Sequence, residues 1–365
     1  MAACMRCRDA AMAGTRSIAD VGAGTRYRFV GPDGSRFPDP ASRYQPDDVL
    51  GASEVIDPGS FRWTDADWSG RPWEEAIIYE LHIGTFTHEG TFQAALQRLD
   101  HLVFLGITAI QIMPLGDFWG RFNWGYDGTA CFAPDSIYGR PDDFRRFVQA
   151  AHERSLMVVL DIVLNHFGAE GNYLPGLAPI FTERHDNLWG DAINFDGEDA
   201  ACVRQLAIDN ALFWLTEFNL DGLHFDAVHM IKDDSAPHIL DELAQRLQEV
   251  RPQRHTRLIV ENSDNQERWL KRRDDGAPVR FAAQWNDDTH HVMHSCVTGE
   301  ITGYIADFNP AEGRADKLGR CWRKGFSIRA NTRSMKACAA ASPARACRRL
   351  PSSASCSLTT RSETA

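Results

Sequence analysis

From Ile77 onward the chain alternates short apolar runs with amphipathic stretches, and this alternation limits the possible folds more than any other feature. Parallel strands cannot be joined by a tight turn; they need a crossover of a dozen or so residues, usually a helix. The apolar runs are Ile77–Ile83, Thr108–Met113, Met157–Leu164, Gly222–Val228, Arg257–Glu261 and Arg280–Trp285. The third is nearly all apolar, as expected of a strand buried on both faces. Thr91 is predicted to cap a helix that turns Phe92, Ala95, Leu96, Leu99, Leu102 and Val103 to one side. Pro141-Asp-Asp-Phe144 opens the next helix with proline and acids, which suit a helix N-terminus. Further helices are predicted from about Asp199 to Phe218 and from Pro237 to Val250. The predicted fold class is α/β: a (β/α)8 TIM-type barrel, incomplete at about six of its eight strands.

The flanks read differently. Residues 1–17 show no period and are predicted to be disordered. Residues 18–72 are expected to hold the remnant of an N-terminal β-sandwich domain and its linker. Within them Thr25–Val30 alternates in strand fashion, and Gly31-Pro-Asp-Gly34 supplies the turn of a hairpin. The partial catalytic barrel is assigned to residues 73–310. Residues 311–365 are predicted to be an aberrant, disordered tail, since their Cys, Arg, Ala and Ser content is what an out-of-frame translation of a GC-rich gene would produce.

Composition narrows the partners. Lys and Arg number 39 against 50 Asp and Glu, so the chain carries a formal charge of −11. That balance disfavours nucleic acid and anionic membranes as partners, but neutral sugars are compatible with it. No apolar run is long enough to span a membrane, and the first residues lack the apolar centre of a signal peptide, so a cytoplasmic location is expected. Cys4 and Cys7 form a CxxC, but no second pair follows at zinc-finger spacing, so no metal site is assigned.

Polar residues gather where the apolar runs end. In a barrel of this kind that end carries the chemistry. Asp161, Asn165 and His166 close the third run; His224, Asp226 and His229 lie on and after the fourth; Glu261 ends the fifth; Trp285, Asp287, Asp288 and His290 follow the sixth. A carboxylate set in an apolar strand is costly unless it is paired or functional. Asp226 and Glu261, on neighbouring strand ends with Asp161 beside them, therefore point to two-carboxylate chemistry such as glycoside hydrolysis. The loops add Phe118, Trp119, Phe122, Trp124, Tyr126, Tyr173 and Trp189, the kind of rings on which sugar faces stack.

Three of these segments, taken in order, resemble the signatures of the α-amylase superfamily: Asp161-Ile-Val-Leu-Asn-His166, Gly222-Leu-His-Phe-Asp-Ala-Val-His229 and Glu261-Asn262. Tyr79–Phe86, Asn123–Gly128, Phe132–Ser136, Tyr138–Pro141, Ala192–Asp196 and Gln284–Asp288 resemble its malto-oligosyltrehalose trehalohydrolase family. The resemblance implies retaining hydrolysis of the α-1,4 bond beside a terminal trehalose, with maltooligosyltrehalose or another α-glucan as partner and no cofactor. It implies that Asp226 is the nucleophile and Glu261 the acid/base. It also implies that His166 contacts the sugar, that Tyr126 stacks beneath it and that Asp161 supports the site. Trp285, Asp287, Asp288 and His290 would line the trehalose side. Alternatives within and beyond the family are glycogen branching or debranching, and a catalytically dead glucan-binding or nonfunctional product. The chain departs from the family pattern at His224, where the family has Arg. The family's Asn-His-Asp signature and its seventh and eighth strands have no match either, so the chain as written is expected to be close to inactive.

Overall fold

The computed structural model describes residues 21–31, 33–251, 253–308 and 313–324. The expectations for the first 17 residues, the Cys4–Cys7 pair and the tail beyond Lys324 lie outside them, but within residues 311–365, expected to be disordered, Arg314–Lys324 is an α-helix that buries Cys321 against Val292, Ile305 and Phe308. Six strands, β1 (Ile78–Leu81), β2 (Ala109–Ile112), β3 (Met157–Ile162), β4 (Gly222–Phe225), β5 (Arg257–Glu261) and β6 (Ala283–Trp285), form one sheet in the order β6-β5-β4-β3-β2-β1. Every pair in it is parallel. This is the incomplete TIM-type arrangement that the alternation predicts, with each strand one to three residues shorter at one or both ends than its apolar run, except β5. Gly222 opens β4 where a side chain has no room, since a Cβ there would lie 2.1 Å from the Arg257 carbonyl oxygen.

Helices follow the strands. Thr91 Oγ1 accepts the Ala94 amide at 3.2 Å, as its capping role requires. The predicted single helix is instead two, α1 (Phe92–Leu96) and α2 (Leu99–Phe104). Phe92, Ala95, Leu99 and Leu102 are fully buried, whereas Val103 is 42% exposed. The buried residues still follow one stripe across the break at Gln97 and Arg98, and Val103 lies at its exposed margin. The helix α3 (Pro141–Glu153) begins as predicted, with Asp143 accepting the Arg140 amide at 2.9 Å. The helices α4 (Ala200–Glu217) and α5 (Ile239–Val250) complete the cover. Phe144, Trp214 and Phe218 form the aromatic centre of the packing, with the Phe144 and Phe218 rings 4.8 Å apart.

Ahead of the sheet, Phe29–Val30 pairs antiparallel with Arg36–Phe37, the predicted hairpin, and Arg26–Tyr27 pairs with Ser53–Glu54. The chain divides into two compact units. One runs through Trp285 without Ser263–Gln266; the other comprises Ser263–Gln266 and the residues from Asn286. The second unit contains a helix, Asp287–Thr298, capped by Asn286, whose side chain accepts from the Thr289 amide at 3.0 Å.

Candidate active site

Parallel register sets the geometry of the site. His224 on β4 lies opposite Asp161 on β3, Glu261 on β5 opposite Trp285 on β6, and Glu80 on β1 opposite Gln111 on β2. Side chains alternate along a strand, so these lateral pairs hold their polar groups at matched heights. Asp226 comes one residue after β4, and the chain turns sharply there: Ala227 has φ +41° and ψ 49°, a left-handed conformation that is uncommon for alanine. The turn aims the Ala227 amide at Glu261 Oε2, 3.3 Å away. The backbone that carries Asp226 thus touches the Glu261 carboxylate directly.

Asn165, just past β3, holds Asp226 through two bonds from Nδ2, 2.7 Å to the carboxylate Oδ2 and 2.9 Å to the backbone oxygen. Asn165 Oδ1 is also paired with Nδ1 of His166. Asn187, in the long insertion after β3, donates to the Asn165 carbonyl at 2.6 Å. The insertion also brings the Trp189 ring to 5.4 Å from His166. Burial lowers the pKa of His166.

Tyr126 sits among the acids. Its hydroxyl donates to Asp161 Oδ2 at 3.1 Å, and its pKa is raised well above the usual phenol value by burial and then by Asp161, Asp226, Glu80 and Glu261. Gly125 makes this placement possible: its φ is +95°, and a Cβ there would meet the Pro114 carbonyl oxygen at 2.0 Å. Glu80 accepts from Gln111 at 2.9 Å, and its pKa is raised by burial and by Asp161. Burial is the largest influence on His224 and would lower its pKa, but Asp161, 3.0 Å away, together with Glu261 and Glu80 outweighs it and the pKa is raised.

The remaining candidates are spread out. Trp285 is half-buried, its ring 5.9 Å from that of His224. His229 is half-buried, and its carbonyl accepts from Lys232 Nζ at 2.7 Å. Asp287, Asp288 and His290 belong to the second unit, where Asp288 is fully buried and accepts from Asn265 at 3.1 Å. Of the loop aromatics, Phe118 is 1% exposed and belongs to the core, so it offers no sugar platform, whereas Trp119, Phe122, Trp124, Tyr173 and Trp189 are exposed. The sequence names Asn165 at its strand end without a role, and Asn187, Glu80 and Gln111 are absent from the expected site. Glu80 and Gln111 carried the same signal as Asp226, a polar residue inside an apolar strand.

His185, Asp196 and Asp234 bring potential metal-ligand atoms within 4.8 Å of one another. Arg184 lies 3.8 Å from Asp196 and 4.0 Å from Asp234 and already balances their charge, so no ion is assigned there.

Residues 55–178 match the α-amylase catalytic-domain model. A crystal structure of an α-amylase-type protein from Salmonella typhimurium superposes with a TM-score of 0.81 at 49% identity, over 84% of this chain and 52% of that one. The chain belongs to the α-amylase superfamily. Within it, the similarity runs to the malto-oligosyltrehalose trehalohydrolases. That of Saccharolobus solfataricus is 42% identical over 80% of this chain and 51% of its own length. That of a Rhizobium species is 44% identical over 86% and 52%. A 1,4-α-glucan branching enzyme from Rhodospirillum rubrum matches more weakly, at 33% identity over 56% of this chain and 30% of its own length. The chain thus spans about half the length of the curated trehalohydrolases it matches. A pullulanase from Paenibacillus barengoltzii, solved with maltotriose, shares the fold at a TM-score of 0.55 and 23% identity, over 65% of this chain and 43% of that one.

Proposed function

We propose that this chain carries the catalytic pair of a retaining α-glucan hydrolase that cleaves the α-1,4 bond next to a terminal trehalose and releases trehalose. The reading rests on one observation: Asp226 and Glu261 follow neighbouring parallel strands, and the backbone after Asp226 bonds to Glu261. Retention needs two carboxyl groups about 5–5.5 Å apart, a range that adjacent strand ends can supply. Asp226 attacks the anomeric carbon, and Asn165 holds its carboxylate in one orientation for that attack. Glu261 protonates the leaving oxygen and then deprotonates the water that frees the sugar. His166, with Trp189 against its ring, faces the cleaved glucose, and Tyr126 lies beneath it. The trehalohydrolase relatives support the substrate. Trp285, Asp287, Asp288 and His290 are assigned to the trehalose side, and Asp288, being buried, acts there by orienting its neighbours. Residues 18–72 are assigned to an N-terminal β-domain remnant and 73–310 to the catalytic domain. No helix among the described residues is long and apolar enough to cross a membrane. A cytoplasmic place in trehalose biosynthesis belongs to the same reading.

Covalent trapping tests it. Incubation with 5-fluoro-α-glucosyl fluoride should leave a glycosyl adduct on the peptide that contains Asp226, and Asp226→Asn should abolish it. An adduct on another carboxylate, or none on a folded chain, overturns the assignment. Glucosyl transfer to a glucan in place of trehalose release would favour the branching reaction that the weaker relative suggests.

A further inference from the structure

Four carboxylates, those of Glu80, Asp161, Asp226 and Glu261, act on the Tyr126 hydroxyl. Asp161 from β3, Glu261 from β5 and Glu80 from β1 act on His224 as the leading charges. Its fourth neighbour is the Trp285 ring on β6. The side chains of His224 and Asp161 are 2% and 1% exposed. Their Nδ1 and Oδ1 atoms sit 3.0 Å apart without hydrogen-bond alignment, and His224 Nε2 has no hydrogen-bond partner among the described residues. The unpartnered Nε2 burdens either form of the ring, so what favours the imidazolium is the Asp161 carboxylate 3.0 Å away and the further acids around it.

We propose that His224 is a positioning residue that works as an imidazolium, supplying the positive charge of the carboxylate cluster and setting an alkaline limit on turnover. Its charge fixes Asp161, and Asp161 in turn receives the Tyr126 hydroxyl beneath the sugar. A guanidinium at this place would stay charged at any working pH, but imidazole does not. When His224 loses its proton the acids around it are left uncompensated, Asp161 and Tyr126 lose their fixed arrangement, and turnover falls. The raised pKa of His224 agrees in sign: the ring stays charged above the usual histidine range, and its contribution is lost as pH rises through the folded-state value.

The turnover part of this inference rests on the proposed hydrolysis; the charge state does not, and two measurements separate them. The first is ring 15N NMR of the full chain, with His224→Gln assigning the signal. Both ring nitrogens should be protonated at about pH 7, above the ordinary histidine midpoint. A ring already neutral there overturns the proposal whether or not the chain hydrolyses anything. The second is the pH profile of kcat/KM on maltooligosyltrehalose. His224→Arg should move the alkaline limb up by about one pH unit, which is about tenfold more activity on that limb. Were Glu261 alone in control, an added fixed cation would leave the limb in place or lower it, and either result refutes the turnover role. Absence of hydrolysis in every variant counts against the proposed function, and the NMR titration still decides the charge of His224.

Discussion

Asp117 and Asp135 show what burial does to a carboxylate outside the candidate site. Both are 1% exposed. Burial pushes the pKa of Asp135 up to about 7 and raises that of Asp117 well above the ordinary value, to which the neighbouring Asp135 charge adds. Asp135 is well bonded, accepting the Ile137 amide at 2.9 Å and the Phe118 amide at 3.2 Å. Asp117 Oδ1 has no hydrogen-bond partner among the described residues. With both pKa values raised, the folded state holds protons that the unfolded chain has released. The share of stability governed by these two groups is therefore fully present below about pH 4 and declines as pH rises toward 7 and beyond. Asp117→Asn removes one charge at nearly constant shape, so it should stabilise the protein at pH 8 by about 2 kcal/mol and make little difference at pH 4. Thermal melts at the two pH values check this; an equal effect at both would mean that charge is not the cause.

At the scale of elements, His152 ties the start of the sheet together. It closes α3 with Nδ1 2.7 Å from Asp65 and Nε2 3.0 Å from Asp221. Asp221 also accepts from the Val158 amide on β3 at 2.8 Å and from Trp68 Nε1 at 2.7 Å. Burial alone would lower the pKa of His152, but its bonds to Asp221 and Asp65 outweigh that and raise it. This contribution is fully present below about pH 6.5 and is lost as pH rises through the folded-state value. His152→Ala removes the cation between two buried carboxylates, of which Asp65 keeps Arg254 at 3.4 Å, and should cost about 3 kcal/mol near pH 6, less at pH 9. Urea titrations at both pH values would show it, and a loss below about 1 kcal/mol would mean that the network relaxes around the gap.

This cluster was not legible in the sequence, because Asp65, His152 and Asp221 are brought together only by the fold. The six strands were legible, since apolar runs separated by helical lengths admit few other arrangements, and Asp226 and Glu261 were legible as acids at strand ends. The Thr91 cap was legible for the same local reason. The break between α1 and α2 was not, because the buried stripe runs on across it. Asn165 stood at the end of its strand in the sequence, yet its grip on Asp226 depends on the adjacency of β3 and β4, which order along the chain does not state.

At the scale of the whole molecule, two features oppose each other in solution. The formal charge of −11 keeps copies apart. Against it, the first βα unit exposes apolar surface: Ile77 at 56%, Tyr79 at 37%, Val103 at 42%, Phe104 at 86% and Leu105 at 52%. The outer edge of β1 has no strand partner among the described residues, so its backbone donors and acceptors can template pairing. Single exposed apolar residues are ordinary, but several on one unit beside an open edge favour self-association. Salt decides the balance, because at 0.1 M the screening length is only about 10 Å and repulsion between copies is largely removed. Sedimentation velocity should therefore show larger species as sodium chloride is raised from low to moderate concentration. Phe104→Glu with Leu105→Glu should return the distribution toward monomer at the higher salt, because it removes the two most exposed residues of α2 and its end while adding charge. If wild type and double variant sediment alike under both conditions, contacts elsewhere drive the association and the exposed end of α2 is not the cause.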